Sequence, residues 1–449
     1  MIAVRRPVLL LLLLALLAGC GTPGGDASDN AEQARKAERS SRKIDVSKAG
    51  DVTLTVWDQE VRGGQRRQIE QLNDAFQQRY PNVTIKRVAK SFTDLNTTLK
   101  LAVSGDKAPD VVQANQGRPV MGALVKGGLL RPLDAYAAAY GWADRYPAVL
   151  LDLNRFSTDG RTFGAGKLFG LSQMGEIVGV FYNRDKVPGP PATFGDFERS
   201  LAGAKARGEV PISFGNLDKW PGIHEFQSVQ NAYAPPTQVR DFVFAREGAS
   251  FDTPENREAA GKLAEWAKAG YFTKNFNGVG YDPAWQQFSK GAGPFLIGGT
   301  WLLRDLSDAM GDRLGFMLVP PRAKGEPARS LGGESLPFAI TEKSQNADVA
   351  AAYIDFLTDS GAARVLVETG NLPAMPTTAK PSGAAGKEVF EAWRTLGEGD
   401  GLVPYLDYAT PSFYDEITAG VQRLLAARQP PGDFTQALQG DYEKFTGSS

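Results

Sequence analysis

Short runs of β-branched and apolar residues alternate with longer stretches in which apolar positions recur every three or four residues, so the two periods predict strands and helices in turn. Residues 52–56, Val-Thr-Leu-Thr-Val, read as a first strand ending at Trp57. Over residues 65–80, Ile69, Leu72, Phe76 and Tyr80 fall near one helical face, and Pro81 stops the helix. A strand over 83–88 and a helix over 91–103 follow, the helix opened by Ser91-Phe92-Thr93-Asp94 in capping-box register. Ala259, Leu263 and Trp266 continue the helical period, as do Val349, Tyr353 and Phe356. The tail predicts two helices, one carrying Ile417, Val421 and Leu424 and the other Phe434, Leu438 and Tyr442, parted by Pro430-Pro431-Gly432. There is no tandem repeat. This βαβα order predicts an α/β fold with parallel sheets covered by helices, in which ligands bind on loops after strands. The loops to watch are 57–60, 113–116 and 298–301.

The first residues follow a different pattern. Arg5 and Arg6 precede an apolar run over 8–17, then Ala18, Gly19 and Cys20. Such a run is shorter than the roughly 20 residues a membrane-spanning helix needs, and its order is that of a secretory signal, here residues 1–19. Leu17-Ala18-Gly19-Cys20 resembles a bacterial lipobox, which would make Cys20 the lipidated first residue of the mature chain. Two acyl chains there satisfy the two-signal condition for lasting membrane attachment. Arg5-Arg6 leaves the twin-arginine route open beside the general one. Residues 20–50 carry almost no large apolar side chain and read as a flexible tether.

Composition narrows the chemistry. The chain has 449 residues, 42% apolar and 22% charged, with a net charge of -1, enough for more than one domain and with no field to attract nucleic acid. A single cysteine, Cys20, and a single histidine, His224, leave no means of building a disulfide framework or a Cys/His zinc site within one chain. No cofactor or metal is expected. Paired carboxylates such as Asp58 and Glu60 remain available for acid/base work on a polysaccharide, so an exported enzyme stands as a rival reading.

A series of short motifs then recurs in order. Residues 72–76 lead into Tyr80-Pro81-Asn82-Val83, and residues 101–105 into Ala108-Pro109-Asp110-Val111-Val112. Gly128 to Leu133, Leu168-Phe169-Gly170-Leu171, Val180-Phe181-Tyr182-Asn183 and Pro191-Ala192-Thr193-Phe194-Gly195-Asp196 follow. Phe288-Ser289-Lys290-Gly291, Gly298-Gly299-Thr300-Trp301, Leu331-Gly332-Gly333 and Gly370-Asn371-Leu372-Pro373 complete the set. Together they resemble the extracellular solute-binding proteins of ABC importers, specifically the maltose-binding-protein-like carbohydrate-binding family. One departure is Phe194, where the family usually has Trp.

The resemblance implies a two-lobed, type II periplasmic-binding-protein-like fold with discontinuous lobes joined by a hinge. The N-terminal lobe would comprise 51–172 and 326–372, and the C-terminal lobe 173–325 and 373–449. Chain crossings are expected near 171–176, 319–332 and 372–378. It also implies a non-enzymatic, extracytoplasmic monomer, lipid-anchored at the outer face of the membrane. Such a receptor would capture a sugar or oligosaccharide between its lobes and deliver it to the permease subunits. A polyamine or amino acid derivative on the same fold is the alternative.

Sugars present C–H patches to aromatic rings and hydroxyls to carboxylates and amides, which selects the candidates. Trp301, with Gly299 and Thr300 before it, matches the family segment whose Trp packs on the sugar ring. Packing in the lobe core is the other reading, and Thr300 is positioned to cap the helix that follows. Trp57, Asp58 and Glu60 end the first strand, as either ligand contacts or, respectively, core and solvated charges. Gln113, Asn115 and Gln116 follow the Pro-Asp-Val-Val strand. Glu176 belongs to the first crossing, and Gly333 and Glu334 to the segment of the second. Trp220 and Tyr281 are the second-lobe aromatics expected to complete the sandwich, ranked above His224 and Trp285.

Overall fold

The computed structural model describes residues 27–447. In chain order its strands are β1 (Val52–Asp58), β2 (Val83–Ala89), β3 (Val111–Gln113), β4 (Arg155–Phe156), β5 (Lys167–Leu168), β6 (Gly175–Asn183), β7 (Phe295–Gly299), β8 (Leu314–Met317), β9 (Ser330–Glu334), β10 (Phe338–Ile340) and β11 (Leu402–Val403). The first sheet has the order β10-β3-β1-β2, with β1 parallel to both β2 and β3 and β10 antiparallel. Helices Gly63–Arg79 and Phe92–Ser104 connect its strands where the periodicity placed them. Ser91 Oγ accepts the Asp94 amide at 3.1 Å and opens the second of these. Phe76 reaches from the first helix to Tyr353 of helix Ala347–Leu357, their rings edge-on at 5.3 Å, and closes the core beneath the sheet.

The second sheet departs from the expected parallel arrangement. Its path is β11-β9-β6-β7, with β8 also pairing β6. Strand β6 runs antiparallel to β7, β8 and β9, and only β11 and β9 are parallel. Strand β7 returns to β6 only after the helices of residues 194–289, whereas β8 and β9 follow within short connections, so antiparallel pairing to one central strand organises this sheet. Helices Trp220–Gln230, Pro254–Lys268, Phe413–Leu425 and Pro431–Gly447 pack together in this second lobe. The break between the last two falls at the predicted Pro430-Pro431.

Three segments join the lobes, and they bond to one another. Leu171 and Phe338 exchange both backbone hydrogen bonds at 3.0 Å, and the Ser335 amide donates to the Met174 carbonyl at 3.0 Å. The Gly175 amide donates to Leu372 at 2.8 Å, and that of Ala374 to Gln173 at 3.0 Å. These bonded segments comprise residues 171–175, 335–338 and 372–374. Strand β9 belongs to the second sheet, through pairs such as Ile177 with Gly332, and β10 to the first. Gly332 makes this pairing possible. Its φ is +145°, and a Cβ there would run into the Glu176 carbonyl.

The tether expectation also needs correction for the described part of 20–50. Ala27–Ser40 is a helix docked on the first lobe, with Ala34 and Ala37 buried and Asn30 Nδ2 donating to the Lys126 carbonyl at 2.8 Å. Glu38 pairs with Lys167 at 2.6 Å. Farther on, Asn82 Nδ2 holds the carbonyls of Val46 and Gly50 at 2.9 and 2.8 Å. Alanines three and four residues apart suffice to bury a narrow stripe against a neighbouring surface, so large apolar side chains were the wrong requirement. The signal segment 1–19 and Cys20 lie outside the described residues.

Candidate functional site

The loop after β7 sets the first wall of a cavity between the lobes. Gly299 ends the strand, and the Trp301 indole folds back over it, where a Cβ on residue 299 would strike the ring. Thr300 does not cap the following helix as anticipated: its Oγ1 accepts the Ile177 amide at 3.3 Å and ties the loop to β6. Trp301 Nε1 donates to the Tyr281 hydroxyl at 2.9 Å. Trp220, at the start of its helix, stands 4.4 Å from Tyr281 and 6.1 Å from Trp301, centroid to centroid. His224, one turn on, contacts Trp301 at 5.7 Å and Tyr405 at 5.4 Å. Burial pushes His224 down to about 3, so its imidazole is neutral at physiological pH. The result is a continuous aromatic wall with one polar ring in it.

The opposite wall comes from the first lobe. Gln59, Arg62, Gln65, Phe92 and Asn115 face the same space, and Phe92 meets Trp220 across it at 6.1 Å. Glu176 and Leu336, from the crossing segments, form the floor, while Tyr405, Asp407, Tyr408 and Tyr414 complete the lining. About 600 Å³ of non-atom space, part of it open to solvent, lies between these residues. At the rim Arg62 binds Asp282 at 2.9 Å and Arg67 binds Asp308 at 3.0 Å, so ion pairs join the lobes over the cleft.

Four buried acids surround the floor. Burial pushes Glu176 and Asp407 up to about 7, and Glu60 and Glu334 up to about 8. Each has some relief, Asp407 from the Asn115 side chain. Glu176 accepts from the Tyr405 hydroxyl at 2.7 Å, Glu60 from Gln113 Nε2 at 2.7 Å, and Glu334 from Asn154 Nδ2.

Of the predicted residues, Trp301, Trp220, Asn115 and Glu176 line the cavity directly. Others stand behind it. Tyr281 supports both tryptophans, and Gln116 accepts from Tyr408 at 3.2 Å while donating to the Ser335 carbonyl at 3.0 Å. Gln113 accepts the Gln59 amide at 2.8 Å and so positions the loop that presents Gln59. The remaining candidates lie off the lining. Trp57 is half-buried beneath the Lys90 ammonium, 4.7 Å from the ring centre. Asp58 is fully buried and held by two Arg87 hydrogen bonds of 2.7 Å each. Glu60, Glu334 and Gly333 are buried in the framework, Gly333 against Leu153. Asp58 and Glu60 are therefore neither solvated loop charges nor a carboxylate pair facing the cavity.

Sequence reasoning missed the segment from Tyr405 to Tyr414, as well as Arg62, Gln65, Phe92, Ile223 and Leu336. Three tyrosines and an aspartate within ten residues, beginning directly after Pro404, were the available signal. His224, ranked below Trp220 and Tyr281, sits in the aromatic wall.

Comparison with known proteins places this geometry. Residues 71–393 match the family model described as bacterial extracellular solute-binding protein. The maltodextrin-binding protein MdxE of Bacillus subtilis is 24% identical over 371 residues, covering 79% of this chain and 80% of MdxE. A chitin oligosaccharide binding protein superposes with a TM-score of 0.74 at 21% identity, over 88% of this chain and 99% of its own. RafE in complex with raffinose gives 0.70 at 16% identity, over 88% of this chain and 100% of its own. With a cavity enclosed by two lobes on three crossing segments, and a family match over most of its length, the chain belongs to the bacterial extracellular solute-binding proteins.

Proposed function

We propose that the chain is the substrate-binding lipoprotein of an ABC importer, which captures a sugar or short oligosaccharide and delivers it unaltered to the permease. The observation that carries this reading is the cavity lining: aromatic faces from Trp220 and Trp301 opposite amides from Gln59 and Asn115, with Glu176 at the floor. Rings of this kind pack on sugar C–H patches, while amides and carboxylates read hydroxyl direction. Maltodextrin, chitin oligosaccharide and raffinose in the names of the related proteins support the same ligand class. The lipobox-like sequence ending at Cys20 supports anchoring to the outer face of the membrane, with the body acting as a monomer.

Capture proceeds by hinge closure over a guest already resting on one lobe. A ligand favours the closed state only through contacts that the open state lacks, so groups on facing lobes, Trp220 and Phe92 among them, set the coupling. The Arg62–Asp282 and Arg67–Asp308 pairs also belong to the closed state, though exposed pairs contribute only about 0–1 kcal/mol each. A thermal-shift screen over a saccharide library, followed by calorimetry, tests the reading. A ligand at 100 times its dissociation constant stabilises the native state by about 2.7 kcal/mol, well within detection. A library in which no saccharide shifts the transition would overturn it.

A further inference from the structure

Hydrogen-bonding groups around the cavity are unevenly divided. Four donors are already engaged by the protein: Trp301 Nε1 by Tyr281, the Tyr405 hydroxyl by Glu176, the Tyr408 hydroxyl by Gln116, and the Arg62 guanidinium by Asp282. The acceptors are less well matched. Two carboxylates, Glu176 and Asp407, line the space, and Asp407 adds to the cost of ionising Glu176. The Gln65 side chain also lines it, is only 2% exposed, and leaves its Oε1 without a donor. The nearby cation, Arg62, offsets part of this charge although it is also paired with Asp282.

A hydroxyl brings one donor and two acceptor lone pairs, whereas an ammonium brings three donors and no acceptor. Two carboxylates in one lining, beside an amide oxygen that lacks a donor, therefore suit an ammonium, whose charge favours their ionised form. The aromatic wall adds to that preference, since ring faces attract cations. Gln59 remains for ring hydroxyls, which a simple polyamine lacks. We infer that the preferred guest is an amino sugar, a saccharide with a protonated amine held by Glu176 and Asp407 while its ring rests on Trp220 and Trp301. This specifies the ligand class within the saccharide-receptor reading and rests on it.

Matched pairs differing only in the amine test the inference by calorimetry on the mature chain: glucosamine with glucose, galactosamine with galactose, and β-1,4-diglucosamine with cellobiose. The amino member should bind about tenfold tighter or better, the scale of charge-assisted hydrogen bonds. N-acetylation of diglucosamine should remove the advantage. In Asp407→Asn, or in Glu176→Gln should the first variant fold poorly, the amine preference should shrink to within about threefold, the remaining carboxylate retaining part of it. Neutral members that bind as tightly as their amino partners overturn the inference and leave the saccharide reading standing, as do neutral library sugars that bind when no pair does. Spermidine binding with no saccharide binding overturns both.

Discussion

Trp301→Ala is expected to weaken saccharide binding by about 2 kcal/mol or more, a roughly thirtyfold rise in Kd, while the protein remains folded. The ring is half-buried, faces the cavity, and is held there by the Tyr281 hydroxyl and by contacts with Trp220 and His224. Truncation removes a stacking face and leaves Tyr281 without its donor, so the loss exceeds the area term alone. Calorimetry on the variant measures the first part, and its melting temperature the second. Trp57→Ala supplies the contrast. Trp57 lies outside the lining and packs beneath Lys90, so this variant should keep wild-type affinity. Equal losses in the two variants would mean that the Trp301 effect is structural and not a ligand contact.

The second large effect concerns pH. Glu60 is 0% exposed, and burial raises its carboxyl from 4.5 to about 8. Since the folded-state value lies above the unfolded one, between those limits the native state holds a proton that the unfolded chain has released. Stability then falls as pH rises through the window, by up to about 1.4 kcal/mol per pH unit from this group. Glu60→Gln retains an oxygen to accept from Gln113 and removes the ionisation. The variant should match wild type near pH 5 and exceed it by about 2–4 kcal/mol near pH 8, as read by urea unfolding at both values. A variant less stable than wild type at pH 8 would show that Glu60 is native as a carboxylate, supported by Arg87. Glu334, raised to about 8 by the same cause, should behave alike.

These two residues illustrate what the sequence could and could not convey. Strand β1 and the helix beginning at Gly63 were legible because each buries one side of a regular period. Trp301 was legible because a strand, two glycines and an aromatic residue leave few ways to place the ring. Glu60 was read as a ligand contact or a solvated loop charge, since carboxylates are usually solvated. Its burial depends on Gln113, 53 residues away, which periodicity does not relate to it.

The Tyr405 to Tyr414 wall was missed for the same reason. Tyr405 belongs to the cavity because Glu176 is 229 residues distant in sequence but within hydrogen-bond reach in the fold. Gly332 and Gly333 both lie in a strand whose backbone, with positive φ, brings β9 against β6, a pairing that periodicity does not reveal. Helix Ala27–Ser40 was overlooked because its packing stripe is built from alanine.

Enclosure of a guest by two hinged lobes is the claim on which the rest depends, and small-angle scattering tests it most directly. Profiles of the mature protein should show a smaller radius of gyration with a saturating saccharide than without it, in step with calorimetric occupancy. A profile that stays the same while calorimetry reports full binding would contradict closure around the ligand.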